Sequence, residues 1–145
     1  MESSTRPRDT AWAMSKENIE IVRRAQDAFN RRDLTTQLAL YPSDAEIDWS
    51  RSHGPLKGVY RGHGGLETFW NEFWSMFDEV QLETHGFTEV GSEVVVPNTA
   101  HMQGRDGIEV VARSTFVYTV ENGQITRLRM FQERAEALEA VGLSE

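Results

Sequence analysis

The sequence predicts an α+β fold, with helices in the first half of the chain and an antiparallel sheet in the second half. Apolar residues recur at helical spacing as far as Phe77, and the period changes to two from Val80 onward. An Asn122-Gly123 pair then lies between two alternating segments, which is the strongest short-range signal for a β-hairpin. Together these three observations indicate helices packed against a meander of strands.

Two helices are predicted near the beginning of the chain. Ser15 is suited to cap the first helix, whose apolar face runs on to Phe29. Asp33 is suited to cap a second, shorter helix, which Pro42 ends because proline disrupts a continuing helix. The short connection between them predicts a helical hairpin.

A short strand and a strongly aromatic helix are predicted next. Residues 45–49 alternate as in a half-buried strand, and a glycine-rich turn leads from them into the helix. This helix carries one stripe of large apolar side chains at i, i+3, i+4, i+7, i+8 and i+11, namely Leu66, Phe69, Trp70, Phe73, Trp74 and Phe77. So many large rings in a small domain indicate a hollow apolar interior, and therefore a pocket for a small molecule.

Four strands and a final helix complete the prediction. The strands cover residues 80–90, 93–103, 108–120 and 124–131, and the amphipathic helix covers residues 133–141. Gly142 is placed to end that helix in the left-handed conformation. A strongly curved antiparallel sheet around the first three helices buries all of these apolar faces together.

Length and charge restrict the class of protein. The 145 residues predict one domain at residues 15–145, preceded by a flexible polar tail at residues 1–14. A formal net charge of −8 argues against nucleic acid or an anionic membrane as the main partner, since both require a basic surface. The sequence has no cysteine and no stretch of about 18 apolar residues, which favours a cytoplasmic location.

Several segments of the chain resemble the SnoaL-like branch of the NTF2-like superfamily. They are SKENIEIVRRAQDAFNRRDL, AEIDW, GVYRGHGGLETFW, VYTVENGQITRL and ERAEALEAVGL, which together span Ser15 to Leu143. The resemblance implies a cone-shaped α+β barrel that is open at one end and often dimeric through the outer sheet face. Its members include polyketide cyclases, ketosteroid isomerases, epoxide hydrolases and dehydratases, so the fold does not decide the function.

The ketosteroid isomerases within this superfamily provide a comparison of individual residues. The position of their catalytic Asp at the end of the first strand falls on Trp49, and that of their oxyanion-binding Tyr falls on Ala25. Asp48 is one residue away and points to the opposite face unless a bulge redirects it. The isomerase mechanism is therefore not transferred to this chain.

Candidate pocket residues come from the aromatic helix, the first strand and the polar positions near them. For the aromatic residues, lining a cavity and packing into a solid core remain alternatives; for the polar residues, the alternative is a structural or surface position. The candidates are Trp49, Trp70, Trp74, Phe73, His53, His63, Arg113 and Phe116.

Three residues are candidates for proton transfer. His101 can act as an acid or base near neutral pH if its strand face points inward, and otherwise it lies on the surface or at a dimer interface. Asp48 is close in sequence to two histidines, and Tyr60 can donate a hydrogen bond to a ligand carbonyl. Only one of the two faces of the His101 strand can line a pocket.

These observations lead to a functional hypothesis with one alternative. The chain is expected to bind a compact hydrophobic molecule, with cofactor-independent isomerisation, cyclisation, dehydration or hydrolysis as the possible chemistry. The alternative is a non-catalytic ligand-binding or dimerisation module. No cofactor is expected, and the scattered histidines do not have the spacing of a metal site. A homodimer through the outer sheet face is expected, because the outward positions of the last strands are too apolar for a solvent-exposed face. These positions are Thr115, Val117 and Thr119, or the residues that alternate with them.

Overall fold

The computed structural model describes the backbone of residues 7–143 and the side chains of residues 16–143. Within this part of the chain, four helices and seven strands follow one another. In chain order they are α1 (Pro7–Asn30), α2 (Leu34–Leu40), β1 (Glu46–Asp48), β2 (Val59–Arg61), α3 (Gly62–Ser75), β3 (Glu79–Thr84), β4 (Thr88–Val90), β5 (Glu93–Gln103), β6 (Glu109–Glu121), β7 (Gln124–Phe131) and α4 (Arg134–Ala140).

The strands form one curved, unclosed sheet in the order β2-β1-β7-β6-β5-β3, with β4 also pairing with β5. Strands β5, β6 and β7 form the predicted antiparallel meander. Strand β1, however, pairs with β7 in parallel, with Glu46 opposite Arg127 and Asp48 opposite Arg129. The sheet is therefore mixed, and this pairing joins segments about 80 residues apart whose relative direction no local pattern indicates.

The main core lies between the concave face of the sheet and the first three helices. It contains Val22 of α1, Trp70 of α3 and Phe116 of β6, all of which are buried. Helix α4 packs on the opposite face of the sheet, where Ala137 and Leu138 cover Val95, Val117 and Phe131. Val117 is thus buried by its own chain, so the argument that its face needs a partner subunit is wrong.

Two local predictions are confirmed. The Asp33 carboxylate accepts a hydrogen bond from the Thr36 backbone N–H at 3.1 Å, which caps α2. Asn122 and Gly123 have φ angles of 51° and 77°, as the tight turn between β6 and β7 requires. In both places the side-chain chemistry of one or two adjacent residues is sufficient to determine the backbone conformation.

The beginning of α1 differs from the prediction. Within the described residues the helix already extends from Pro7, so Ser15 lies inside it. The assignment of Ser15 as the N-cap is therefore wrong, and the predicted boundary after Met14 falls inside a helix. Residues 1–6 of the predicted tail lie outside the described residues.

The segment between the first strand and the meander also differs. Residues 59–61, expected to belong to a turn, pair with β1 as the short edge strand β2. The predicted strand at residues 80–90 is divided into β3 and β4 around Gly86, whose φ of 116° interrupts an extended strand. Helix α3 ends beside the Arg32 guanidinium, which donates hydrogen bonds to the carbonyl oxygens of Trp74 and Phe77.

Candidate functional site

A cavity of about 400 Å³ lies between the concave sheet face and the first three helices. Its lining is predominantly apolar and aromatic, as expected for a small-molecule site. The lining residues are Ala25, Phe29, Gln37, Tyr41, Trp49, Ser52, His53, Gly54, Pro55, Phe69, Trp70, Phe73, Met76, Phe77, Leu82, Ala100, Met102, Val110, Ala112, Arg113, Ser114, Phe116, Tyr118, Leu128, Met130 and Gln132.

The cavity has a closed end and a mouth. The solvent exposure of the lining residues distinguishes the two. Tyr41, Trp70 and Tyr118 are buried and mark the closed end. His53 and Gly54, in the loop between β1 and β2, are exposed and lie at the mouth. A molecule that enters past this loop therefore meets an aromatic interior before it reaches the tyrosines.

Trp49 is the centre of the aromatic wall. Its ring lies 4.9 Å from that of Phe69 and 5.4 Å from that of Phe116, measured between centroids. Such tilted and edge-on contacts are favourable for aromatic pairs and hold each ring in place. The residue at the position of the isomerases' catalytic Asp thus serves as a rigid apolar surface.

Six of the eight predicted pocket residues line the cavity: Trp49, Trp70, Phe73, Phe116, His53 and Arg113. Trp74 and His63 do not. The Trp74 ring packs against Phe29, with 5.7 Å between centroids, and His63 Nε2 lies 2.8 Å from the carbonyl oxygen of Tyr41. The aromatic stripe of α3 is therefore wider than the part of it that faces the cavity.

Arg113 occupies a boundary position. It lies at the edge of the cavity and also borders a shallow groove on the outer face of the sheet. The residues on either side of it in β6, Ala112 and Ser114, line the cavity. Successive side chains of a strand point to opposite faces of the sheet, so these two residues define the inner face. By this alternation the Arg113 side chain belongs to the outer face.

Asp48 points away from the cavity. Its carboxylate accepts a hydrogen bond from the Ser50 backbone N–H at 3.0 Å and lies 3.3 Å from the Arg51 guanidinium. Burial raises the pKa of Asp48, but the hydrogen bonds from Ser50 and the charge of Arg51 together hold it below its ordinary value. The residue is a paired carboxylate in the first strand, on the side opposite the aromatic wall.

His101 also lies on the outer face. Its Nε2 is 2.9 Å from the Glu83 carboxylate, and both side chains are about half exposed. The hydrogen bond from His101 lowers the pKa of Glu83. The cavity is lined instead by Ala100 and Met102, the neighbours of His101 along β5. Of the two faces that the sequence left open, the one without His101 faces inward.

Tyr60 is the third predicted proton-transfer residue. Its hydroxyl donates a hydrogen bond to the Leu56 carbonyl oxygen at 2.9 Å, and its ring packs on Phe69. Burial raises the pKa of Tyr60. The structure therefore does not bring Asp48, Tyr60 and His101 together, because each is hydrogen-bonded to a different neighbour.

The polar groups at the closed end were not identified from the sequence. Tyr41 and Gln37 lie one turn apart at the end of α2, and Tyr118 faces them from β6. Burial raises the pKa of Tyr41 and of Tyr118, so both phenols stay protonated. The i, i+4 spacing of Gln37 and Tyr41 is the signal in the sequence, because it places both side chains on one face of a helix.

The lining offers few groups for acid–base chemistry and no obvious metal ligands. Of the described lining residues none is an Asp or Glu, and His53 supplies the one imidazole. Across residues 16–143, no group of three or more His, Cys, Asp or Glu side chains is placed to hold a metal ion. In the described part of the chain, no helix is both long and apolar enough to cross a bilayer.

Comparison with known proteins agrees with this architecture. An NTF2-like protein of unknown function from Burkholderia pseudomallei is 26% identical, and the match covers 87% of this chain and 98% of that chain with a TM-score of 0.72. TerC, co-crystallised with polyporic acid, is 23% identical over 86% of this chain and 98% of its own, also with a TM-score of 0.72.

A third solved structure is SalBIII, an epoxide hydrolase/cyclase-like enzyme with a role in pyran ring formation in the polyether salinomycin. It is 21% identical over 83% of this chain and 93% of its own, with a TM-score of 0.70. No curated protein matches the chain. The profile of the SnoaL-like domain matches residues 22–128, which is well over half of the sequence. With an NTF2-like fold and this match, the chain belongs to the SnoaL-like domain family.

Proposed function

We propose that this protein binds a compact, largely hydrophobic small molecule in the cavity between α1, α2, α3 and the concave sheet face. One observation carries the proposal: about 400 Å³ of space is lined by aromatic and aliphatic side chains, with two buried tyrosines at its closed end. Sites of this size with a few oriented polar groups are typical of small-molecule pockets. A dimerisation module alone does not require such a cavity.

Fold relatives support a small molecule as the partner. TerC was co-crystallised with polyporic acid, and SalBIII is described as an epoxide hydrolase/cyclase-like enzyme. At their level of identity these structures are similar in fold alone, so they support the type of partner and leave its identity open. The chemical type of the ligand is therefore inferred from the residues that line the cavity of this chain.

Catalysis is a second candidate function, as cofactor-independent isomerisation, cyclisation, dehydration or hydrolysis. It is favoured by the two tyrosines of the closed end and by His53 at the mouth, all of which line the cavity. Asp48, His101 and Tyr60, proposed from the sequence, do not reach this space. The two functions are separated by recovering the bound molecule, which is unchanged after binding and altered after catalysis.

The binding proposal is tested with 1-tetralone and tetralin, two compact bicyclic molecules that differ by a carbonyl. Trp49 and Trp70 line the cavity, so we expect saturable quenching of tryptophan fluorescence with dissociation constants of about 10–100 µM. Glucose, a polar molecule of similar size, serves as the control and is expected to cause no quenching. A linear, unsaturable response to both bicyclic molecules up to their solubility limits contradicts the proposal.

We also propose a cytoplasmic homodimer. Ile108, just before β6, and Val111, within β6, are 64% and 62% exposed and form an apolar edge that α4 does not cover. Light scattering at micromolar concentration is expected to give twice the chain mass of 16.5 kDa. A mass of one chain at that concentration refutes the dimer.

A further inference from the structure

The loop between β1 and β2 is fixed at both of its ends. Near its beginning, the Ser52 backbone N–H donates a hydrogen bond to the Trp49 carbonyl oxygen at 3.1 Å. Near its end, the Leu56 carbonyl oxygen accepts a hydrogen bond from the Tyr60 hydroxyl at 2.9 Å. Residues 53–55 remain between these two points and form the tip of the loop.

The tip of this loop lies over the mouth of the cavity. Its three residues, His53, Gly54 and Pro55, all line the cavity and are all exposed. The tip therefore forms part of the boundary between the ligand space and bulk solvent. Loops in this position are a common means by which small-molecule sites open and close.

One side chain holds the tip to the rest of the domain. The His53 backbone N–H donates a hydrogen bond at 2.9 Å to Oε1 of Gln132, which follows β7 and also lines the cavity. The Gly54 N–H donates to Ser52 Oγ within the loop, and Pro55 has no N–H. Among the described residues, the bond to Gln132 is therefore the only hydrogen bond that joins the tip to another element.

The direction and the strength of this bond are both defined. A backbone N–H can only donate, so the Gln132 amide oxygen is the acceptor. Loss of one neutral hydrogen bond changes an equilibrium constant by roughly 2–10-fold. The tip can therefore open locally while the strands and helices around the cavity stay folded.

We propose that residues 53–55 form a lid over the cavity mouth, and that Gln132 is the latch that sets how fast a ligand enters and leaves. A ligand passes when the bond between His53 and Gln132 opens. Since the latch is made with or without the ligand, it slows entry and exit by the same factor and leaves the affinity unaltered. This inference rests on the proposed binding function and specifies how access to that site is controlled.

The test is stopped-flow tryptophan fluorescence of the full-length protein with 1-tetralone. Gln132→Met removes the acceptor oxygen and keeps the length of the side chain. We expect its association and dissociation rate constants both to rise by about 2–10-fold, with the dissociation constant unchanged. Gln132→Glu retains an acceptor and strengthens it with charge, so its rate constants are expected to equal or fall below those of the native protein.

Gln124→Met is the matched control for the same chemical change. Gln124 is the first residue of β7 and does not line the cavity, so both rate constants are expected to stay at their native values. Circular dichroism verifies that each variant is folded.

A second measurement detects the latch without any ligand. Amide hydrogen exchange followed by NMR is expected to be about 2–10-fold faster at His53 in Gln132→Met than in the native protein. The Trp49 amide is the internal reference, because its bond to the Gly58 carbonyl oxygen, at 2.7 Å, does not involve Gln132.

The outcomes separate the lid from the binding proposal. Native rate constants and native affinity in Gln132→Met refute the lid and leave the binding function standing; the ligand then passes Val110 and Ala112, which are also exposed and line the cavity. Faster dissociation alone, with a loss of affinity, shows that Gln132 contacts the ligand and refutes its role as a latch. An unchanged exchange rate at His53 also refutes the latch. No saturable binding of 1-tetralone refutes both the lid and the binding function.

Discussion

Trp70→Ala is expected to lower the free energy of unfolding by about 3–5 kcal/mol. Trp70 is 2% exposed in the middle of α3, and its ring lies 5.2 Å from that of Tyr41, measured between centroids. The substitution removes this contact and enlarges an existing cavity that the surrounding residues cannot fill. These two costs come in addition to the hydrophobic free energy that burial of the ring contributes to folding.

The measurement is urea unfolding followed by circular dichroism, because fluorescence itself depends on the tryptophan. Val111→Ala is the control, since Val111 is largely exposed and its truncation is expected to change stability by less than about 0.5 kcal/mol. A loss below about 1 kcal/mol in Trp70→Ala contradicts the packing described for α3.

Ala100→Phe is expected to reduce the affinity for 1-tetralone by at least about 100-fold. Ala100 lies on the inward face of β5 and lines the cavity, so the added ring occupies space that the ligand needs. The cost in stability is expected to be about 1–3 kcal/mol or less, because the ring enters an existing void. Fluorescence titration measures the affinity, and circular dichroism verifies the fold.

Ala39→Phe is the matched control for this substitution. Ala39 is exposed on α2 and does not line the cavity, so the same chemical change there is expected to leave the affinity unaltered. If Ala100→Phe retains its fold and binds 1-tetralone as the native protein does, the ligand does not occupy this cavity.

Elements that depend on short-range chemistry could be predicted from the sequence. Asp33 determines its own helix start, and Asn122-Gly123 determines the turn between β6 and β7. The aromatic stripe of α3 is also visible in the sequence, because its period and the size of its side chains are both local features.

The details of the site depend on contacts between distant segments. Helices and strands from other parts of the chain decide which face of β5 lines the cavity. The alternation of side chains along β5 therefore cannot distinguish the face with His101 from the face with Met102. The covering of Val117 by α4 is likewise a tertiary contact.

The two tyrosines at the closed end show the same limit more sharply. Tyr41 follows α2 and Tyr118 lies within β6, 77 positions later, and only the fold brings them to one cavity. Gln26, which is hydrogen-bonded to Tyr118, lies on a third element, α1. No sequence period connects residues on three different elements.

The most direct test of the central claim is an amide ¹H–¹⁵N NMR titration of the native protein with 1-tetralone. Binding in the cavity predicts the largest chemical-shift changes at Tyr41, Ala100 and Tyr118, which line it. Glu83 and His101 are hydrogen-bonded to each other on the outer sheet face and are expected to change little. Changes concentrated at that outer pair, with the cavity residues unaffected, would contradict the assignment of this cavity as the ligand site.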